Sequence, residues 1–373
     1  MRRMWSLIGL CLLSAACVHA QTAVPYLATG DRFGVFRAGA FIPLEKHRPL
    51  ATWPMGDRLA YATRDGRLML FMDGQVSTLT TGLLADSAAL HEQVKASRTM
   101  IAWRQGPTLQ VTRTDRPIGL GREVGAFSVH DSLVVFHDLA DGVLNVYWKG
   151  RSFPVADVAR TAEAPQWKAG ANTLVFHDRS TRKLHLCYRG ELTVLCDSAD
   201  YALVSPGMDV VAYMDEASGV FRIFHAGRKR EVEQLRPARF VAGDGHVAYL
   251  SATGAFRQYT VDGVRELARS FPTDLFVQDS VVTWVDKGKW YTVNSSGVEI
   301  IEPYVPESWQ VRGSTILYPD LDRELRTYRL GQRTVVDRAS DLRSYLLLED
   351  AVVRSGRDGT VRVRWAGQVY EAP

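Results

Sequence analysis

The sequence lacks the short motifs that identify common enzymes and nucleic-acid-binding proteins. It contains no P-loop, no Cys-x-x-Cys pair, no His-Glu-x-x-His and no Gly-x-Ser-x-Gly. Its 45 Lys and Arg residues nearly balance 41 Asp and Glu, for a formal net charge of +4. Such a balance gives no basic surface for nucleic acid or for anionic lipid. We therefore predict no nucleic-acid partner and no cofactor.

Long hydrophobic runs are also missing. The apolar run Leu7–Leu13 is far shorter than the roughly 20 residues that span a bilayer. Arg2 and Arg3 precede it, and the small-residue segment Val18–Ala20 follows it. This order predicts a secretory signal peptide over residues 1–20 and no transmembrane span. The alternative is an ordinary buried N-terminal helix.

A second kind of processing fits the same region. The segment Leu13–Cys17 resembles a bacterial lipoprotein signal, in which Cys17 would become the lipidated first residue. Ser14 stands where that motif prefers an aliphatic residue, so soluble export is favoured over a lipid anchor at Cys17. Either route predicts an exported protein, periplasmic or associated with the outer membrane.

Cysteine is scarce, and two of the four cysteines fall in the predicted leader. If a two-residue turn ends at Gly190, then Cys187 faces Leu192 and Cys196 faces Lys183 across a hairpin. The two sulfur atoms would then lie about 13 Å apart along the strands, too far for a disulfide. We predict two buried free thiols, although an exported cysteine pair could be oxidised.

What the sequence does contain is a repeat. A turn with Pro or Gly precedes a short apolar strand that ends in an aromatic residue, as in Trp53–Tyr61, Ser205–Tyr213 and Ala242–Tyr249. The residues at the end of this strand are Tyr26, Tyr61, Trp103, Phe136, Phe176, Tyr213, Tyr249, Trp284, Tyr318 and, in the tenth repeat, Arg354. Their average spacing of about 36 residues is typical of solenoids, propellers and arrays.

One repeat shows the content of a unit. Residues 274–304 contain four β-branched or aromatic runs separated by turn residues: Leu275–Val277, Val281–Trp284, Trp290–Val293 and Val298–Ile301. Four such runs predict four antiparallel strands. The last turn carries a glycine in nine repeats: Gly39, Gly74, Gly150, Gly190, Gly227, Gly263, Gly297, Gly331 and Gly367. Glycine is favoured there because tight hairpin turns need a positive φ.

These units predict an all-β fold, a β-propeller of ten four-stranded antiparallel repeats over residues 21–373. Strands packed on both faces explain why Leu133–Phe136 is apolar at every position. One wide ring is preferred over two smaller rings, because no linker interrupts the even spacing near Asp197–Ser205. The first repeat lacks an inner strand, so ring closure should rest on side-chain packing.

The repeat resembles the WD-like repeat of TolB-type propellers. In that family a Ser-Pro-Asp-Gly-like turn precedes an aliphatic strand that ends in an aromatic residue. Trp53–Gly56 and Ser205–Gly207 carry the likeness here, whereas turns such as His130–Ser132 have drifted. The resemblance covers nearly the whole exported chain and implies the fold, without implying a particular function.

Two equivalent positions carry candidate metal ligands. His137 and Asp138 follow the second strand of one repeat, and His177 and Asp178 follow it in the next. In a propeller these four side chains would lie on one face and could converge on a metal or an anion. The favoured alternative is a pair of solvated loops inherited from a duplicated unit, since the next repeat has Met214–Asp215 at this place.

Aromatic residues on the first strands are candidates for ligand binding, since aromatics dominate binding hot spots. They are Trp53, Phe127, Trp167, Phe240, Phe276, Trp309 and Tyr345. Those that line the central mouth would suit a carbohydrate or a peptide. For any single residue, packing between blades is the favoured alternative.

Three functions are compatible with these features. The preferred one is a non-catalytic, exported scaffold of the bacterial cell envelope that binds an envelope protein, a small ligand or a glycan. The alternatives are a glycan hydrolase or lyase with carboxylates at the channel mouth, and a purely structural envelope protein. The scaffold is preferred because the repeats are even and no long insertion builds an active-site wall. This preference for a scaffold rests on analogy with the functions of other propeller folds.

Overall fold

The computed structural model describes residues 22–83, 86–158, 166–178, 181, 183–338 and 341–373. The predicted signal peptide and the candidate lipid anchor at Cys17 lie outside these residues. The described residues form ten antiparallel sheets, of which nine have four strands and one has three.

The strands of the first five sheets follow one another in chain order. Blade 1 contains β1 (Val24–Leu27), β2 (Phe33–Arg37) and β3 (Ala40–Glu45). Blade 2 contains β4 (Ala51–Met55), β5 (Arg58–Ala62), β6 (Leu68–Met72) and β7 (Gln75–Thr80). Blade 3 contains β8 (Val94–Ala96), β9 (Ile101–Gln105), β10 (Thr108–Thr112) and β11 (Ile118–Leu120). Blade 4 contains β12 (Val124–Val129), β13 (Leu133–Asp138), β14 (Val143–Trp148) and β15 (Arg151–Asp157). Blade 5 contains β16 (Trp167–Ala169), β17 (Thr173–His177), β18 (Leu184–Tyr188) and β19 (Glu191–Cys196).

The second half repeats the same pattern. Blade 6 contains β20 (Val204–Pro206), β21 (Val210–Asp215), β22 (Val220–His225) and β23 (Arg228–Glu233). Blade 7 contains β24 (Arg239–Ala242), β25 (Val247–Leu250), β26 (Phe256–Thr260) and β27 (Gly263–Ala268). Blade 8 contains β28 (Asp274–Gln278), β29 (Val281–Asp286), β30 (Lys289–Asn294) and β31 (Gly297–Glu302). Blade 9 contains β32 (Gln310–Arg312), β33 (Thr315–Pro319), β34 (Leu325–Arg329) and β35 (Gln332–Asp337). Blade 10 contains β36 (Leu342–Leu347), β37 (Ala351–Gly356), β38 (Val361–Trp365) and β39 (Gln368–Glu371).

The sheets are the blades of one ring. In every four-stranded sheet the strands lie in chain order from one edge to the other. The first and last blades meet, because Val24 and Phe36 share a buried core with Val353 and Val363. The predicted propeller with ten blades in one ring is confirmed, and the alternative of two smaller rings is wrong.

Packing on both faces of each sheet explains the continuous apolar strands. Strand β13 is buried along its whole length. Val134 and Phe136 pack into the core shared with blade 3, whereas Leu133 and Val135 pack into the core shared with blade 5. Because successive side chains of a strand point to opposite faces, the four positions Leu133–Phe136 that pack on both neighbouring blades are all apolar.

The glycine turns have the conformation that the sequence predicts. In the outer hairpin of blade 2, Asp73 and Gly74 have φ angles of +52° and +80°. In blade 4, Lys149 and Gly150 have φ angles of +47° and +86°. Positive φ at both central residues defines the mirror-image type I′ turn, which matches the twist of the paired strands.

The first blade has three strands, and β1 occupies the place of a second strand. The predicted absence of an inner strand is therefore confirmed for the described residues. The seam between blades 1 and 10 is closed by side chains. Phe36 contacts Trp365 and Tyr370, with ring centroids 6.2 and 5.0 Å apart, and the Thr22 hydroxyl donates a hydrogen bond to Asp350.

The two cysteines of the described chain are buried free thiols. Cys187 lies opposite Leu192 as predicted, but Cys196 lies opposite Leu184 instead of Lys183. The prediction for Cys196 was wrong by one residue because a β-bulge separates Leu184 from His185. Burial raises the pKa of both thiols to about 11, so both are protonated at neutral pH.

A short helix, α1 (Ser87–Gln93), lies between blades 2 and 3 and was not predicted. The Asp86 side chain caps it by accepting the N–H of Ala88, and Leu90 anchors it in the core. Seven residues are too few to show a helical period in the sequence. No helix of the described chain has the length and apolarity needed to cross a membrane.

Recurrent hydrogen bonds link neighbouring blades. The aromatic anchor of one blade donates its hydroxyl to a glutamate on the outer strand of the preceding blade. The pairs are Tyr61 with Glu45 at 3.2 Å, Tyr249 with Glu233 at 2.9 Å, and Tyr318 with Glu302 at 2.6 Å. In blade 10, Arg354 takes the anchor position and forms ion pairs with Asp337 at 2.5 Å and Asp341 at 2.9 Å. Arg354 thus keeps the contact with a carboxylate of the preceding blade, with a charged donor in place of the neutral tyrosine hydroxyl.

Candidate functional site

The turns that join inner and second strands crowd together around the ring axis. A Cβ atom at Gly170 would lie 2.2 Å from the carbonyl oxygen of Gly207, and one at Gly207 would lie 2.1 Å from that of Gly243. Adjacent turns are also hydrogen-bonded, since Met208 N–H donates to Gly243 at 3.2 Å and Asp244 N–H to Asp279 at 2.7 Å. Glycine is needed here because any side chain would push neighbouring turns apart.

These turns enclose a cavity of about 490 Å³ to which blades 2 to 9 all contribute. We call it the channel mouth. The lining residues used below are Trp53, Arg98, Asp131, Met208, Asp244, Asp279 and Arg312. A cavity built from eight blades exists only in the closed ring.

Arg98 is the central charge of the channel mouth. Its guanidinium lies 2.6 Å from the carboxylate of Asp131 in the next blade. It also reaches across the axis to Asp279 of blade 8, at 3.7 Å. Burial disfavours the charged form of Arg98, but Asp131 and Asp279 outweigh it and raise the pKa of Arg98. The ion pairs tie opposite sides of the ring together.

Asp244 is an acid of the mouth whose negative charge is poorly balanced by its surroundings. Burial and then the nearby charge of Asp279 raise the pKa of Asp244, while Arg98 acts in the opposite direction. Asp279 is held in place because its carboxylate also accepts the backbone N–H of Gly313 at 2.7 Å. A positive charge brought to Asp244 would therefore be stabilised by acids that Arg98 neutralises only in part.

The seven candidate aromatic residues do not form one site. Trp53 lines the channel mouth, whereas Tyr345 lines a separate cavity at blade 1. Phe276 is 38% exposed and contacts Trp309 edge-on at 4.9 Å, and Trp309 also packs on the core of blades 8 and 9. Only Trp53 combines an aromatic ring with the charged cavity.

The remaining candidates pack between blades. Phe127 is buried between blades 3 and 4, with the Lys95 ammonium 4.9 Å from its ring centre. Trp167 is partly buried and donates its indole N–H to Ser128 at 3.1 Å. Phe240 is also partly buried and lies against the core of blades 6 and 7. These three rings contribute to the stability of the ring.

The His-Asp pairs at the ends of the second strands stabilise their own loops. His137 and Asp138 are buried, and the Asp138 carboxylate accepts three backbone N–H groups of adjoining loops. Asp178, next to His177, accepts the hydroxyl of Thr181 at 2.8 Å. Within the described ranges, no group of three or more His, Cys, Asp or Glu side chains is arranged to hold a metal ion. The structure does not bring these four residues together as a metal site.

His130, in the turn after β12, provides a pH test of the mouth. Its ring lies 3.1 Å from the Ser128 hydroxyl, and burial lowers its pKa to about 4. The unfolded chain therefore takes up this proton more readily than the folded one. We expect protonation of His130 to lower the free energy of unfolding by about 3 kcal/mol as the pH falls from 6.5 to 4, with little loss above that window. Urea unfolding at pH 7.5 and pH 4.5 should show a smaller fall for His130→Gln than for wild type. An equal fall in both, or a similar change in the exposed control His47→Gln, would contradict the assignment.

The sequence did not reveal the charged cluster. Asp131 belongs to the turn His130–Ser132, which has drifted from the repeat, but nothing in the spacing shows that blades 3, 4, 7 and 8 meet at one point. The available signal was that Arg98, Asp131, Asp244 and Asp279 occupy the same turn of their repeats. If these equivalent turns are placed around one ring axis, the four charged residues come together as a cluster.

Fold and site together define a β-propeller of ten blades with a charged channel mouth. The sequence matches the family model described as the 10-bladed beta propeller domain over residues 17–370. The chain therefore belongs to this family. The closer resemblance to TolB-type propellers stays a prediction.

No match was found among curated proteins. Among solved structures, a computationally designed protein, Ika8, is 12% identical with a TM-score of 0.39, covering 92% of this chain and 99% of that one. Yeast RCC1 (Prp20), solved bound to Kap60, is 10% identical with a TM-score of 0.33, covering 66% and 70%. Hsv2p of Kluyveromyces lactis is 11% identical with a TM-score of 0.30, covering 66% and 94%. At these low values the likenesses carry no argument about function.

Proposed function

We propose that this chain is an exported, non-catalytic propeller of the bacterial cell envelope that binds a partner protein at its channel mouth. The observation that carries the proposal is the cavity of about 490 Å³ assembled from eight blades. The leader-like N-terminus and the resemblance to TolB-type propellers support an envelope location, with soluble export preferred to a lipid anchor at Cys17.

The chemistry of the mouth favours a basic side chain of the partner. Three carboxylates face one another there, from Asp131, Asp244 and Asp279. Arg98 neutralises part of this charge, and Arg312 is occupied by Glu349 at 2.8 Å. Trp53 adds an aromatic wall, which attracts cations and covers the aliphatic stem of Lys or Arg.

Site-specific crosslinking in the envelope tests this proposal. A photoreactive phenylalanine analogue replaces Met208, which is 39% exposed and lines the mouth. The matched control places it at Leu192, which is 49% exposed on the outer hairpin of blade 5. We expect one stoichiometric protein adduct from position 208 and none of that mass from position 192.

The side-chain chemistry is tested in the same assay. Asp244→Asn combined with Trp53→Ala should lower the yield of the adduct at least about tenfold, as expected when central contacts of an interface are removed. A yield that is unchanged in this double variant, or an identical adduct from both crosslinker positions, would refute binding at the mouth.

A glycan hydrolase or lyase is the second candidate, favoured by one observation. Glycosidases pair a carboxylic acid of raised pKa with an ionised carboxylate, and Asp244 has a raised pKa beside Asp279. Against it, Asp131 and Asp279 are held by Arg98 and by turn backbone groups. Turnover on a panel of envelope glycans that disappears in Asp244→Asn would establish the enzyme and displace the scaffold.

A further inference from the structure

Blade 1 leaves an open strand edge inside the ring. In the other nine blades the second strand is paired on both sides, whereas β1 pairs with β2 alone among the described strands. A cavity of about 350 Å³ occupies the place where an inner strand would lie. We call this cavity the blade 1 slot.

The orientation of the β1 backbone shows what the edge offers. Ala28 donates its N–H toward β2, whereas Ala23 donates to Gly56 on the opposite side, at 2.8 Å in each case. Because backbone groups of successive residues alternate across an antiparallel strand, Pro25 and Leu27 face the slot. Pro25 has no N–H, which agrees with its place on an open edge. The edge therefore presents the carbonyl groups of Pro25 and Leu27 and the N–H of Leu27.

The walls of the slot suit an extended, apolar chain. Leu50 of blade 2, Leu346 of blade 10 and Tyr26 of β1 all line it. Arg48 stands at the end remote from the inner turns, is exposed, and forms no ion pair with a described residue. The slot thus combines hydrogen-bonding backbone, apolar walls and one positive charge.

We propose that the blade 1 slot binds an extended segment of a partner protein, which pairs antiparallel with β1 as the missing inner strand. This is recognition by strand addition, in which main-chain hydrogen bonds give affinity and side-chain pockets give specificity. An antiparallel segment places its N-terminal end beside Arg48, so an acidic residue is selected there and apolar residues follow. The slot is recessed between the inner strands of blades 2 and 10, so the sheet edge of a second copy does not reach β1. Pro25 further restricts pairing, as prolines on natural edge strands do.

A synthetic peptide tests the slot directly. The probe is fluorescein-labelled Asp-Leu-Phe-Val-Gln amide, which copies β28 (Asp274–Gln278), an inner strand of this fold that begins with an acid. Binding to the purified exported chain is followed by fluorescence polarisation. Two control peptides carry N-methyl groups on alternate backbone nitrogens, one set at Leu and Val and the other at Phe and Gln. We expect saturable binding of the probe and loss of binding for one methylated peptide only, because alternate N–H groups face β1.

Variants locate the site. Ser344→Trp fills the slot from an exposed position of blade 10 and should weaken binding at least about tenfold, whereas Leu192→Trp on an outer hairpin should leave it unchanged. Arg48→Glu should weaken the probe several-fold and favour a peptide with Lys in place of Asp. Absence of saturable binding, equal binding of both methylated peptides, or no effect of Ser344→Trp would overturn the proposal.

The N-terminus of the processed chain shows which segment fills the slot, one from a partner protein or one from the chain itself. Mass spectrometry should find the exported chain beginning at Gln21 and binding the probe. A chain that begins at Cys17 and does not bind would overturn the proposal, because its own retained residues would be the occupant. The slot adjoins the channel mouth at Thr52, which lines both cavities, but Ser344 lines the slot alone and Met208 the mouth alone. Crosslinking from Met208 should therefore be unaffected by Ser344→Trp.

Discussion

Replacement of Arg98 by Met is expected to destabilise the protein by about 2–3 kcal/mol. The side chain of Arg98 is only 24% exposed and lies between Asp131 and Asp279, which are 20% and 17% exposed. Removing it leaves acids of opposite blades facing one another, with Asp244 close to both. The expected loss is below that of a fully buried ion pair because some water reaches all these groups. Urea unfolding at pH 7.5 measures the effect.

Two further variants separate charge repulsion from lost packing. Arg228→Met, on the outer hairpin of blade 6, removes an exposed arginine and should change stability by less than about 0.5 kcal/mol. Adding Asp131→Asn to Arg98→Met should restore part of the lost stability, because the two residues interact directly. Strictly additive losses would show that the mouth is not held together by these ion pairs.

Phe36→Ala is expected to cost about 3–5 kcal/mol, because it opens a cavity at the seam that closes the ring. Phe36 is fully buried and contacts Phe41 of its own blade as well as Trp365 and Tyr370 of blade 10. No strand joins the two blades among the described residues, so packing has to close the ring. Urea unfolding gives the loss of stability, and hydrogen exchange shows where it acts.

Exchange should accelerate first in β1 and β38, on the two sides of the seam, because local opening begins where few hydrogen bonds cross. Phe271→Ala is the matched control, since Phe271 is 46% exposed and its loss should be near zero. Uniform acceleration in all ten blades would instead mean that the ring unfolds as one unit and that the seam is not its weakest point.

Local patterns predicted the strands and turns well. The positive φ of Gly74 and Gly150 follows from the absence of a Cβ atom, and Asp73-Gly74 predicts its hairpin from two residues alone. The apolar run of β13 predicts burial on both faces because a strand has no third face to expose. These features depend on short-range geometry, which a sequence displays directly.

The register in which neighbouring strands pair is harder to predict from the sequence. Cys196 is displaced by one position because the third and outer strands of blade 5 contain a bulge between Leu184 and His185. The same irregularity recurs at this pair of strands in eight blades. A bulge inserts a residue without changing the apolar pattern noticeably, so it is not visible in a single sequence.

By itself the sequence determined the all-β class, the ten units, the glycine turns and the incomplete first blade, because each follows from chain-local steric and hydrophobic rules. Only the tertiary structure decided that the units close as one ring. Closure brings Arg98 within 3.7 Å of Asp279, and it sets the edge of β1 between blades 2 and 10. Both sites join residues far apart in the chain, and such distances are fixed by how blades pack around an axis.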